Sequence, residues 1–188
     1  RPANAITGQT AQGLPSPVPM PSTMAASPDG SYILLATPTG IAYLLDATID
    51  DFVLGRQIFT ATQAGYIGPV AAGPGGQYFV MNGVMLSQQL IPQAAGTTQG
   101  LISAVAANGA RSYAVFSPPA ASTTATALPT SAPSVRLINT ANRAVSLQLN
   151  AVEGSLTQVT GTGRATVSGR MMAVDSAGTT AFVLTASG

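Results

Sequence analysis

The chain of 188 residues contains no cysteine, no histidine and no tryptophan, and all seven of its cationic side chains are arginines, so lysine is missing too. Each absence removes a class of chemistry. Without His or Cys the chain cannot ligate zinc or haem in the usual ways, nor assemble a Ser-His or Cys-His nucleophilic couple. Without Lys it has neither a Schiff-base amine nor the phosphate-binding lysine of a P-loop. Without Cys there are no disulfides, and thiols cannot mark the compartment. Charged residues make up only 7% of the sequence, against about 25% in an average soluble domain. Such low charge weakens self-repulsion and eases association, which suits an assembly or the extracellular medium; a compositional bias of the source genome is the competing explanation. The net charge is +1, and Arg1, Arg56, Arg111, Arg136, Arg143, Arg164 and Arg170 are scattered singly. No basic stripe or basic-aromatic alternation is present for nucleic acid. No apolar run approaches the roughly 18–20 residues of a transmembrane span.

What the chain does have is repetition. Four segments pair a small apolar strand signal with a glycine-containing turn and an aromatic-led strand: Met24–Leu35 (MAASPDGSYILL), Val70–Met81 (VAAGPGGQYFVM), Val105–Phe116 (VAANGARSYAVF) and Met172–Leu184 (MAVDSAGTTAFVL). A repeat of this length is the signature of an array of supersecondary units. In the first unit Ser27-Pro-Asp-Gly30 and Pro38-Thr-Gly40 are turns, and strands are expected over 31–37, 41–45 and 52–60, which makes a β-meander. In the second, Asn82-Gly83 is the strongest hairpin signal in the chain, because both central residues of a type I′ turn need positive φ. In the third, Asn108-Gly109 turns the chain, and Val145, Leu147 and Leu149 alternate so as to face one layer. No sustained 3.6-residue pattern predicts a long helix.

Two stretches break the pattern. Residues 1–23 form a Pro/Gly-rich extended N-terminal segment in which Leu14–Pro21 (LPSPVPMP) reads as polyproline II. Residues 117–134 are an uncharged, low-complexity insertion with too few large apolar groups to offset its ordering entropy. The repeats therefore occupy 24–188 with one flexible insertion.

The turn-plus-strand cores Ser27–Tyr32, Gly73–Tyr78, Asn108–Tyr113 and Asp175–Phe182 resemble blades of bacterial β-propeller repeat proteins of the YVTN type, as do the strand ends Leu44-Leu-Asp46 and Leu137-Ile-Asn139. The resemblance implies an all-β fold, a propeller-like array of antiparallel meander blades. The glycine-to-glycine spacings are uneven, 46 from Gly30 to Gly76, 33 to Gly109 and 69 to Gly178. The 33 suggests a shortened blade and the 69 contains the insertion. Closed propellers have typically four to eight blades, so about three to four blades predict a partial propeller. It would be completed by remaining blades of a longer chain or by another subunit, because open sheet edges are avoided.

The candidate sites are weak. Asp46, Asp50 and Asp51 are the only acidic cluster; they could bind Ca²⁺, but lack the spacing of an EF-hand and suit a solvated turn. Asp29 and Asp175 take equivalent turn positions, where carboxylates accept backbone N–H groups. Gly73-Pro-Gly-Gly76 lacks the following Lys-Ser/Thr of a phosphate loop and opens a strand. Tyr32, Tyr78, Tyr113 and Phe182 recur at one point of the repeat, where aromatic rings pack between blades or line a ligand surface. The arginines suit the surface, with anionic partners as the alternative. No catalytic, cofactor-binding or metal-binding residue is assigned, and no cofactor is expected. The expected function is a non-catalytic protein-interaction or scaffold module of a secreted or cell-surface bacterial protein. A structural subunit of a larger complex or filament, by self-assembly, is one alternative; a fragment of a propeller lactonase- or hydrolase-like enzyme is another. The expected partner is a protein or the remaining blades, with no nucleic acid and no membrane span.

Overall fold

The computed structural model describes residues 22–59, 69–93, 102–117, 132–153, 158–159, 165–166 and 172–185. Most of the N-terminal segment, the centre of the insertion, Arg1, Arg164 and Arg170 lie outside them. Strands β1 (Thr23–Ala26), β2 (Tyr32–Ala36), β3 (Ile41–Asp46) and β4 (Asp51–Gln57) form one antiparallel meander in chain order, the first blade. Blade 2 has three described strands, β5 (Val70–Ala72), β6 (Tyr78–Met81) and β7 (Val84–Ser87). Blade 3 has β8 (Ala104–Asn108), β9 (Ser112–Ser117), β10 (Ser134–Asn139) and β11 (Val145–Asn150). Ser117 and Ser134 pair across β9 and β10, so the insertion leaves and rejoins the sheet at one point between its second and third strands. After the short pair β12 (Gln158–Val159) and β13 (Ala165–Thr166), β14 (Met172–Val174) and β15 (Ala181–Val183) make the two described strands of blade 4.

The blades stack face to face around their first strands, with β1 beside β5, β5 beside β8 and β8 beside β14. The result is a partial β-propeller. Alanine recurs in those inner strands, at Ala25, Ala71, Ala106 and Ala173, because sheets that converge on an axis leave little room at the narrow end. Larger side chains fill the layers further out. Leu34 and Leu44 of blade 1 pack with Phe79, Met81 and Leu86 of blade 2; Tyr78 and Val80 of blade 2 with Tyr113, Val115 and Ile138 of blade 3; Ala114 and Phe116 of blade 3 with Met172 of blade 4. Burying each large apolar side chain contributes about 1.5–3 kcal/mol, so these joints carry most of the stability.

The hairpin turns follow the repeat. Gly30, Gly76, Gly109 and Gly178 all have φ between +64° and +73°, the left-handed region that glycine enters at least cost. Asn82 and Gly83 have φ +49° and +78°, as a type I′ turn requires.

Two finer expectations are corrected. The first concerns Val145, Leu147 and Leu149. A register shift beside Ile138 pairs Val145 with Ile138, while Leu147 and Leu149 pair with Leu137 and Val135. Ile138 belongs to the layer toward blade 2, and Leu137 and Val135 to the layer toward blade 4. One extra residue on the outer strand therefore breaks the period-two pattern at Ser146. The second concerns the recurring aromatics. The first hairpin of blades 1 and 2 pairs Ala26 with Ile33 and Ala72 with Phe79, but in blade 3 Ala107 pairs with Tyr113 across a loop one residue shorter. A one-residue change reverses the face. Tyr32 and Tyr78 look forward to the next blade, whereas Tyr113 looks back and meets Tyr78 at a ring separation of 6.1 Å.

Candidate interaction surfaces

At the end of the arc where first strands turn into second strands, each blade engages the turn of the next. The Tyr32 ring lies so close to Gly76 that a side-chain carbon there would sit 2.5 Å from it. Beside it the Asp29 carboxylate accepts the Gly75 backbone N–H at 3.1 Å. The Tyr78 hydroxyl is 2.8 Å from the Gly109 carbonyl and 2.7 Å from that of Ser112, and donates to this pair of acceptors in blade 3. The Asn108 side chain of blade 3 occupies the space a Cβ of Gly178 in blade 4 would need. The glycines thus serve the joints as well as the turns, which the repeat alone did not reveal. Burial holds the Tyr78 hydroxyl neutral by pushing its pKa up to about 12, and raises that of Tyr113 as well.

The carboxylates are committed to the backbone. Asp175 accepts the Thr179 and Thr180 N–H groups at 2.7 and 3.0 Å, and the Thr179 hydroxyl at 2.9 Å. It is not the counterpart of Asp29. The Asp175 N–H closes its turn on the Thr180 carbonyl as the Ser27 N–H does on Tyr32, and the Ser27 hydroxyl accepts the Tyr32 N–H as Asp175 accepts that of Thr180. Asp175 therefore stands where Ser27 stands, and Asp29 is free to reach blade 2. The pKa of Asp175 is depressed by the backbone N–H of Thr180, and that of Asp29 by the Ser31 hydroxyl, with Ser27 and the Gly75 N–H adding to it. In the acidic cluster, Asp46 accepts both the N–H and the hydroxyl of Thr48, which lower its pKa, and Asp51 accepts the Phe52 N–H. Asp50 has φ +55° at the corner of the same turn. This is a backbone-capping turn. Among the described residues no group of three or more His, Cys, Asp or Glu is placed to hold a metal ion, and no described helix is long and apolar enough to cross a membrane.

Gly73-Pro-Gly-Gly76 folds as a single 3-10 turn between β5 and β6, with no phosphate-loop geometry. Among the arginines, Arg136 is distinctive. Its guanidinium reaches the Ser117 hydroxyl at 2.5 Å, its Nε has no hydrogen-bond partner, and burial lowers its pKa. Arg56 and Arg111 are exposed.

Apolar surface is the more prominent feature. A depression of about 560 Å³ opens where the four inner strands converge, lined by Ala25, Ala71, Ala106, Ala173 and, from β15 and the residue after it, Phe182 and Leu184. Phe182 is not the counterpart of Tyr32; Thr180 is, and Phe182 stands two residues further, at the position of Leu34 in blade 1 and Val80 in blade 2. Leu147, Leu149 and Val152 are exposed along and just beyond β11, and Met24 on β1.

No known protein family matches the chain, and no curated protein does. Among solved structures it is similar to that of U3-55K and to that of the RRP9 WD40 repeats. Both are 14% identical over 70% of this chain, with TM-scores of 0.48 and 0.47, and the chain covers 37% of each. The propeller architecture of this chain rests on its own sheets and joints.

Proposed function

We propose that this chain is a non-catalytic protein-interaction or scaffold module of a secreted or cell-surface bacterial β-propeller of the YVTN-like kind. The observation that carries the reading is the exposed outer strand β11 with the residues after it, which keeps Leu147, Leu149 and Val152 in solvent. Apolar side chains grouped in this way gain free energy when a partner removes them from water. The carboxylates support the same reading. Asp29, Asp46 and Asp175 are held ionised by hydrogen bonds within and between turns. Their depressed pKa values move them away from the range useful to a general acid or base at neutral pH.

Two measurements test this. Proteins of the producing cell's envelope are passed over the immobilised chain and over a Leu147→Glu/Leu149→Glu variant of equal fold content. Retention by the first and loss by the second is expected; equal retention overturns the assignment of the surface. Turnover of lactones or esters by the purified chain, with or without divalent cations, overturns the non-catalytic reading. Recovery of the tagged protein from the cytosol, not from the envelope or medium, overturns the location.

A further inference from the structure

Blades 1, 2 and 3 treat their outer edges differently. In blade 1 the edge strand β4 carries Asp51 and Arg56, both exposed, and a register shift beside Leu44 and Leu45 leaves Val53 as an extra residue in its middle. In blade 2 the chain turns back beside β7, where Pro92 bridges to Leu86 and the Gln93 N–H donates to the Met85 carbonyl at 2.8 Å. Charge, a bulge and a proline are devices that keep an edge from pairing with a further strand. The edge strand of blade 3, β11, has none of them over residues 147–150. It reads Val-Ser-Leu-Gln-Leu-Asn, without charge, proline or glycine, and all six residues are exposed. Its register shift lies at the turn side, at Ser146, so the ladder beyond is regular.

The backbone of this edge has a definite pattern. The Ala151 N–H donates to the Pro133 carbonyl at 2.8 Å. Hydrogen-bonded and non-hydrogen-bonded pairs alternate along an antiparallel ladder, so Leu149 turns its N–H and C=O inward to β10, and Gln148 and Asn150 turn theirs outward. Among the described residues no strand pairs with that outward row. The side chains are arranged symmetrically about Gln148, with Leu147 before it and Leu149 after it. The edge lies in the plane of the sheet, whereas neighbouring blades stack on its faces. It therefore stays open whatever covers the faces of blade 3.

We propose that β11 pairs antiparallel with β11 of a second copy of the chain, about a two-fold axis at Gln148, so that two blades become one continuous sheet. The inference rests on the interaction reading of β11 and deepens it by naming the partner. A two-fold contact requires a self-complementary patch, and this edge is one. Centred on Gln148, the two outward rows exchange N–H and C=O groups at Gln148 itself. Leu147 then stands opposite Leu149 of the second copy on both sides of the axis, at the non-hydrogen-bonded positions where cross-strand side chains come closest. Gln148 meets Gln148 of the second copy, and a side-chain amide both donates and accepts. No charge on β11 opposes the approach. The guarded edges of blades 1 and 2 leave this edge as the one prepared for a strand.

The purified chain tests this directly. In sedimentation velocity and native mass spectrometry the expected particle has twice the 18.7 kDa chain mass. Gln148→Lys places two like charges opposite each other at an exposed position and is expected to halve that mass with unchanged circular dichroism. Gln148→Glu is expected to do the same, and an equimolar mixture of the two variants to restore the double mass. Gln148→Pro removes an outward N–H that β10 does not use, and is expected to give a monomer as well. The chain has no native cysteine, so an introduced one reports the geometry without background. Gln148→Cys alone is expected to give a disulfide-linked dimer, because directly opposed residues of a hydrogen-bonded pair have Cα atoms about 5.5 Å apart, within disulfide reach. Val53→Cys, on the guarded edge of blade 1, is expected to give none. A wild-type monomer, a dimer that Gln148→Lys leaves intact, a mixture that fails to pair, or equal cross-linking through Val53→Cys overturns the proposal. A monomer that still retains an envelope protein defeats the pairing and leaves the interaction reading standing; a dimer of the expected register that retains none keeps the pairing and removes the envelope partner.

Discussion

Leu34 and Phe182 hold the same position in the first and fourth blades, one roofed by the neighbouring sheet and the other in solvent. The difference shows that the meander alone does not define this core. Each blade is a thin sheet with two apolar faces, and only stacking converts them into interior. Stability is therefore a property of the joints, and one repeat position is core where a described sheet covers it and surface where no described residue does.

The comparison can be broken most forcefully at the first joint. Phe79→Ala empties a fully buried site between blades 1 and 2 and is expected to cost about 3–5 kcal/mol in urea denaturation. Phe182→Ala, measured on monomeric chain, is expected to stay within about 0.5 kcal/mol of wild type; equal costs would mean that blade 4 is covered after all. Next comes Gly76→Ala, which must both adopt φ +64° and displace the Tyr32 ring. It is expected to cost about 1–3 kcal/mol. Gly30→Ala, with φ +73° but open space around it, is expected to lose only the backbone share, about 1 kcal/mol. Tyr78→Phe removes the hydroxyl that bridges two blade 3 carbonyls and is expected to cost about 1 kcal/mol.

The smallest effects come from titration. The folded-state pKa values of Asp29 and Asp175 are depressed, so each contributes stability that is present above the unfolded carboxylate pKa near 3.8 and is lost as pH falls through the folded value. A shallow drop in melting temperature below about pH 4 is expected, weakened in Asp29→Asn and Asp175→Asn. Tyr78 acts in the opposite sense. Its folded pKa is raised from 10.0 to about 12, so stability is complete below pH 10 and declines between those values as the unfolded phenol ionises. Tyr78→Phe is expected to flatten that alkaline limb.

The sequence made the blades legible because turn glycines and period-two strands are local signals. Gly30, Gly76, Gly109 and Gly178 announced the four hairpins, and Asn82-Gly83 announced the fifth turn. What stayed hidden depends on single-residue offsets. The shorter loop before Tyr113 sends that ring to the opposite face from Tyr32 and Tyr78, although the three look aligned by eye. The extra residue near Ser146 parts Val145 from Leu147 and Leu149. Asp175 takes the place of Ser27 because a carboxylate and a hydroxyl accept the same N–H. The candidate surfaces were least legible, since whether another sheet covers Phe182 is decided outside its own segment and leaves no mark there.

The turn contacts all point the same way. Tyr32 and Asp29 hold blade 2, Tyr78 holds blade 3 and Asn108 meets blade 4. A blade built so carries a plug on one side and a socket on the other. Duplicating one such segment in the gene supplies both halves of the new connection together. A chain of this kind can lengthen or shorten by whole blades over evolutionary time without redesigning any contact, and the number of blades becomes an inheritable variable in its own right.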